Sequence, residues 1–190
     1  MKACPSFEAA LAQLSKNGNK SNLKVQFSES TTVNEPGVKL SSAATKTTPT
    51  LSISSSLIRP HAGDKYVVVC LDLDAPFPSF SALGPAAHWI EFDLIAIRSA
   101  LEDFTPFEST SKSVMYYAGP GPPPPSAPHR YVFLVWEQPD GMSADVARKT
   151  LGLGESPGIM ARMRWDQPQV EKKIGLGQPL AVNYFTANSE

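Results

Sequence analysis

The sequence predicts a mostly-β fold of the α+β class, a largely antiparallel sheet with helices at its periphery. Three observations carry that expectation. The longest apolar runs are strand-sized and rich in β-branched and aromatic residues: Tyr66–Asp74, His88–Ile97 and Arg130–Gln138. Helical periodicity appears only near the two ends of the chain. No internal repeat is present, so the 190 residues fit one domain with one sizeable core, residues 1–190, its central part running over 51–138.

The elements follow in order. Phe7, Leu11 and Leu14 recur at i, i+4 and i+7, which predicts a short amphipathic helix with Ser6 as its N-cap and Gly18 as its stop. Leu23–Phe27 alternates like a strand, and the Ser/Thr-rich stretch Ser41–Ser56 reads as extended or mobile edge structure. Tyr66–Asp74 and Arg130–Gln138 carry apolar residues on both faces, which places them in the middle of a sheet covered on both sides. Ser143–Gly152 reads as a helix capped by Ser143, Gln167–Ile174 as a weaker helix, and Leu180–Phe185 as a closing strand.

Composition excludes several classes of function. Hydrophobic residues make up 42% and the net charge is −1, values of an ordered protein without a basic face for nucleic acid or an acidic tail. No apolar run is long enough to cross a membrane as a helix. The first 18 residues interleave polar groups and lack the apolar core of a signal peptide, so a cytoplasmic location is expected. Cys4 and Cys70 lack the spacing of a zinc site, and Cys70, inside an apolar strand, reads as a buried free thiol.

Chemistry gathers at strand ends. Asp72 and Asp74 are two apart and so face the same side of a strand, as do His129 and Tyr131. His88 opens another strand. In an antiparallel sheet the start of one strand lies beside the end of its neighbour, so these groups converge at one rim. His61, in a polar loop, reads as a surface residue. The two aspartates also fit a plain turn cap before Ala75–Pro76, a bond that suits a cis turn. In front of His129 stands a proline-rich stretch with four consecutive prolines, Pro122–Pro125, stiff enough to form one wall of a pocket. A carboxylate beside an imidazole favours the protonated ring, and an imidazolium with a tyrosine hydroxyl can donate to an anionic oxygen. Preorganisation by the proline wall lowers the entropy lost on binding. Two histidines and a carboxylate are also a metal-ligand set, but the anion pocket is complete without a cation; no metal and no cofactor is expected.

Taken together, these segments resemble the phosphatidylethanolamine-binding protein family, also called the Raf kinase inhibitor protein family. Its first signature, D-P-D-A-P followed by a strand opening with H or H-W, is matched by Asp72–Pro76 (DLDAP) and His88–Trp89. Its second, Y-x-G-x-x-P-P followed by H-R-Y-x-F-x-x-Y-x-Q, is matched by Tyr117–Pro123 and His129–Gln138, with tryptophan at the later tyrosine position. Gly175–Phe185 echoes the family's closing strand. The resemblance implies a β-sheet core with flanking helices and an anion pocket built from Asp72, Asp74, His88, Tyr117, Pro122, Pro123, His129 and Tyr131. Leu73 stands where the family has proline. The chain ends soon after its last strand, which implies a more open pocket than in mammalian members. The N-terminal helix and the ending look more like fungal members, among them a yeast inhibitor of a serine carboxypeptidase.

Three functions are compatible with that reading. The first is a binding or regulatory module for a small anionic ligand bearing phosphate or carboxylate, a phospholipid head group being the family's traditional one. The second is an enzyme-like helper in a fungal secondary-metabolite pathway that couples anhydride or carboxylate polyketide units. There His88 or His129 would abstract a proton, Asp72 would orient it and Tyr131 would steady the oxyanion. The third is inhibition of a protease such as a serine carboxypeptidase through residues 1–18, whose apolar stripe otherwise simply packs on the sheet.

Overall fold

Strand alternation and helical periodicity both find their place in the computed structural model, which describes residues 4–16, 18, 20–58, 64–80, 82–97 and 102–188. His61 lies outside the described residues. The chain opens with α1 (Pro5–Lys16), followed by β1 (Leu23–Ser28), β2 (Thr31–Val33), β3 (Val38–Lys39) and β4 (Thr50–Ser54). The long strands β5 (Lys65–Asp72) and β6 (Ala86–Ala96) come next, then β7 (Phe104–Ser109) and β8 (His129–Glu137). Helices α2 (Ala144–Leu151), α3 (Ile159–Arg162) and α4 (Gln167–Ile174) lead into β9 (Ala181–Ala187). The strand order is β2-β1-β4-β7-β6-β5-β8-β9-β3. Every neighbouring pair is antiparallel except β3 and β9.

Apolar residues on both faces of β5 and β8 decide the architecture. Val67, Val69 and Leu71 with Val132, Leu134 and Trp136 line one face, where Phe7 and Leu14 of α1, Ala147 of α2 and Ile174 of α4 cover them. Tyr66, Val68 and Cys70 with Tyr131, Phe133 and Val135 line the other, against Leu23, Val25, Leu51 and Ile53. The sheet therefore curls, with β1 and β4 packing over its own centre. Burying each such side chain contributes about 1.5–3 kcal/mol, so a strand apolar on both faces belongs at the centre. Asp72, His129 and Tyr131 continue the second face towards its end.

Several expectations are corrected. The first helix starts at Pro5, whose ring presets the backbone for a first turn. Ser6 is thus inside that turn and not its cap, and its hydroxyl donates to Glu171 Oε2 at 2.5 Å. Within Ser41–Ser56, β4 is not an edge: it pairs with β1 on one side and β7 on the other. Strand β7 had no expectation at all, because Pro106 interrupts a weak pattern. Cys4 and Cys70 are buried free thiols in opposite core layers. As expected, Ser143 caps α2, accepting from the Val146 N–H at 3.3 Å, and Gly152 ends it with φ 67°. No helix among the described residues is long and apolar enough to cross a membrane.

Candidate functional site

At the last residue of β5, Asp72 pairs with Tyr131 on one side and Ala86 on the other. The end of one strand and the starts of two others therefore lie side by side. The third group arrives through an irregularity. In the β5–β6 ladder Cys70 pairs with Trp89 and Leu71 with Ala87, so His88 is the extra, unpaired residue of a β-bulge. A bulge bends the strand and re-aims a side chain. Here it brings His88 Nε2 to 4.0 Å from Asp72 Oδ2 and sets the ring edge-on to Tyr131, with centroids 5.1 Å apart. Arg162, itself buried, holds the bulge in place by donating to the carbonyl oxygens of Ala87, His88 and Tyr116.

Tautomers follow from the partners. His88 Nδ1 lies 2.6 Å from the Ala118 carbonyl oxygen, which can only accept, so Nδ1 carries a proton. Burial pushes the His88 pKa down, and the Ala118 hydrogen bond and the Asp72 charge restore only part of it. The ring is therefore neutral near pH 7, with an Nε2 lone pair facing the notch; the expected imidazolium is not its resting form. His129 sits deeper. Its Nδ1 is 2.9 Å from Asp72 Oδ2 and its Nε2 is 2.9 Å from Ser126 Oγ. Asp72 Oδ1 accepts from the Asp74 N–H at 2.8 Å.

Tyr131 is different. Its side chain is 1% exposed, yet its hydroxyl makes no hydrogen bond of normal geometry. The Asp72 carboxylate and the Gly121 backbone lie within electrostatic reach of it. Burial, followed by the Asp72 charge, pushes its pKa well above the usual phenol range, so it stays a protonated phenol whose O–H can donate to an incoming oxygen.

Other residues expected in the pocket sit elsewhere. Asp74 does not share the notch with Asp72. The strand ends at Asp72 and the chain turns through cis Ala75–Pro76, so both Asp74 oxygens go to Arg130, from the guanidinium at 2.7 and 2.9 Å and from the backbone N–H at 2.9 Å. Leu73, in place of proline, keeps an N–H that donates to the Arg130 carbonyl and extends the ladder by one bond. The Tyr117 hydroxyl donates to the Thr45 carbonyl oxygen at 2.9 Å, and its ring packs in the core against Trp89 and Phe27. Pro122 is buried and Pro123 half-buried. The segment before His129 is pinned where a Cβ at Gly119 would stand 2.8 Å from Lys46 Cα. The notch is nearly closed to solvent: the His88 ring is 16% exposed, while Asp72, His129 and Tyr131 are nearly sealed.

Sequence reasoning missed Ser126, the Ala118 carbonyl and Arg162. For Ser126 the signal was its place three residues before His129; for Arg162, reaching in from a distant short helix, there was none. Among the described residues no group of three or more His, Cys, Asp or Glu side chains is placed to hold a metal ion.

Residues 18–185 match the family model described as phosphatidylethanolamine-binding protein. The phomoidride biosynthesis cluster protein N of Talaromyces stipitatus is 31% identical over 178 residues, which are 88% of this chain and 85% of that protein. The carboxypeptidase Y inhibitor of Saccharomyces cerevisiae is 33% identical over 94 residues, 45% of this chain and 43% of that protein. Among solved structures, a carboxypeptidase Y inhibitor complexed with its cognate proteinase matches with a TM-score of 0.73 and 24% identity, over 96% of each chain. A phosphatidylethanolamine-binding protein from Plasmodium vivax matches with a TM-score of 0.64 and 16% identity, over 95% of this chain and 98% of that one. Those two likenesses establish the fold. Together with the family match and the relative aligned over 88% of this chain, they lead to one conclusion: this chain belongs to the phosphatidylethanolamine-binding protein family.

Proposed function

We propose that this protein binds a small ligand through a phosphate or carboxylate oxygen, taken up in the notch between His88, Tyr131 and the proline segment, and acts as a binding or regulatory module. The observation that carries this reading is the buried Tyr131 hydroxyl without an acceptor. A hydroxyl left in that state costs roughly 1–3 kcal/mol, and a ligand oxygen removes the cost. An anion beside His88 favours the protonated ring, so binding takes up a proton and Nε2–H becomes a second donor. Because burial holds the free His88 pKa down and the bound anion raises it, affinity rises as pH falls from the bound value to the free one. Below the free value it levels off.

Titration calorimetry with inorganic phosphate and with acetate, in buffers of different ionisation enthalpy, tests this directly. The expected result is fractional proton uptake near pH 7 that disappears in His88→Gln, and weaker binding in Tyr131→Phe. Absence of binding to the wild type, or equal affinity in Tyr131→Phe, would overturn the reading.

A specific observation favours a second, enzyme-like role. The neutral His88 ring and the Tyr131 ring meet edge to face with centroids 5.1 Å apart, which brings a base and a phenol without a hydrogen-bond partner to one notch. Such a pair suits abstraction of a proton next to a carbonyl, as in coupling of anhydride units, and a relative of similar length is named for a biosynthesis cluster. Solvent deuterium entering an alkyl maleic anhydride at the same rate with His88→Gln as with wild type would end that idea. The named inhibitor relative suggests a protease partner as a third role. Phe7, Ala10 and Leu14 of α1 are buried against the sheet, which leaves its outer face for such a contact. Inhibition of a serine carboxypeptidase that survives loss of residues 1–16 would exclude α1 as its basis.

A further inference from the structure

We propose that Ser126 is a nucleophile activated by His129 and Asp72, and that the protein accepts an acyl group from an activated ester or thioester on this serine and passes it to water. Ser126 Oγ lies 2.9 Å from His129 Nε2, and His129 Nδ1 lies 2.9 Å from Asp72 Oδ2. Both distances fall where a nucleophile, its base and the group that orients the base must stand. In the neutral ring with its proton on Nδ1, toward Asp72, the Nε2 lone pair faces the serine. Asp72 is itself steadied by the Asp74 N–H on its other oxygen. Burial grades in the order the chemistry needs: Asp72 and His129 are sealed from water and Ser126 is half-buried.

The setting is stiff. Ser126 follows four consecutive prolines and Pro128 comes two residues later, so the serine is held over the imidazole and does not swing freely. Its oxygen also lies 2.9 Å from the Ala127 carbonyl oxygen, which competes for the single hydroxyl proton. Transfer to His129 takes place when that proton turns to Nε2. The Tyr131 ring stacks on His129 with centroids 6.4 Å apart, and its unpartnered hydroxyl is the donor for the acyl oxygen. In this last respect the inference rests on the ligand-binding reading above.

The steps balance. Ser126 Oγ attacks the acyl carbon while its proton passes to His129 Nε2. The bond to the leaving alcohol or thiol breaks, and that group departs with the proton from His129. Water then attacks the acyl-serine, giving its proton to His129, which returns it to Ser126 Oγ as the carboxylic acid leaves.

The full chain is treated with a fluorophosphonate, with intact mass, peptide mapping and labelling rate as readouts. One adduct with loss of fluoride, mapped to Ser126, is expected. Ser126→Ala abolishes it, and His129→Gln slows it by about a hundredfold or more. No adduct on the wild type, an adduct at another residue, or an undiminished rate in folded His129→Gln would overturn the inference. An unactivated serine does not react, so the wild-type result decides even where His129→Gln fails to fold. The two readings separate cleanly. On the wild type, phosphate binding without an adduct sinks this inference alone, whereas labelling of a protein that binds no phosphate sinks only the binding reading.

Discussion

Replacing Tyr131 with phenylalanine removes one oxygen from the middle of the site and leaves the ring. That ring stacks on Phe185 with centroids 5.3 Å apart and meets the His88 edge at 5.1 Å, so no cavity opens. The oxygen it loses is buried and makes no hydrogen bond. Desolvation without compensation is worth roughly 1–3 kcal/mol. The variant is therefore expected to be more stable than wild type by about 1 kcal/mol or more in ligand-free buffer, a rise in Tm of about 2–4 °C per kcal/mol for a chain of this size. Phosphate binding moves the other way. Loss of one hydrogen bond to a charged oxygen, about 1.5–3 kcal/mol, weakens affinity tenfold or more. Urea unfolding and calorimetry on the same samples read both. A variant destabilised by more than about 1 kcal/mol without ligand would mean that the hydroxyl is satisfied in the free protein, and the reasoning would fail.

Other expectations follow from neighbouring groups. Arg130→Met strands the Asp74 carboxylate, which is 2% exposed; a loss of about 2–4 kcal/mol is expected in urea unfolding, moderated by partial exposure of the guanidinium, and adding Asp74→Asn recovers part of it. Acid unfolding should register Asp93: burial alone would raise its pKa, but Lys65, Gln138 and the Ala144 amide hold it at about 2, below the ordinary 3.8. Its contribution, on the order of 1–2 kcal/mol with the half-exposed lysine discounted, is present above pH about 4 and lost as pH falls to about 2. An acid-unfolding curve unchanged by Asp93→Asn would contradict this. Within the proline-rich segment, Gly119→Ala forces a Cβ to 2.8 Å from Lys46 Cα, while a Cβ at Gly121 meets open space. The first should destabilise by roughly 1–3 kcal/mol and the second should be near neutral, as thermal melts would show.

Much of this protein was legible before any coordinates. Apolar residues on both faces of Tyr66–Asp74 and Arg130–Gln138 could be buried only in the centre of a covered sheet, and β5 and β8 lie there. Period-two spacing put His129 and Tyr131 on one face, and antiparallel geometry then brought the end of β5 beside the start of β8, where Asp72 meets both. These are local rules of backbone geometry, which the order of residues alone obeys. Three features obeyed no local rule. The bulge that turns His88 into the notch depends on the register of β6 against β5 and on Arg162 arriving from a remote helix. Asp74 follows Arg130, not Asp72, because its strand has already ended. The Tyr131 hydroxyl ends without a hydrogen bond of normal geometry, among the rings of His88, His129 and Phe185 that three separate segments bring to it. Spacing along a chain decides which way a side chain faces; whether a partner waits there depends on distant segments, and only folding brings those together.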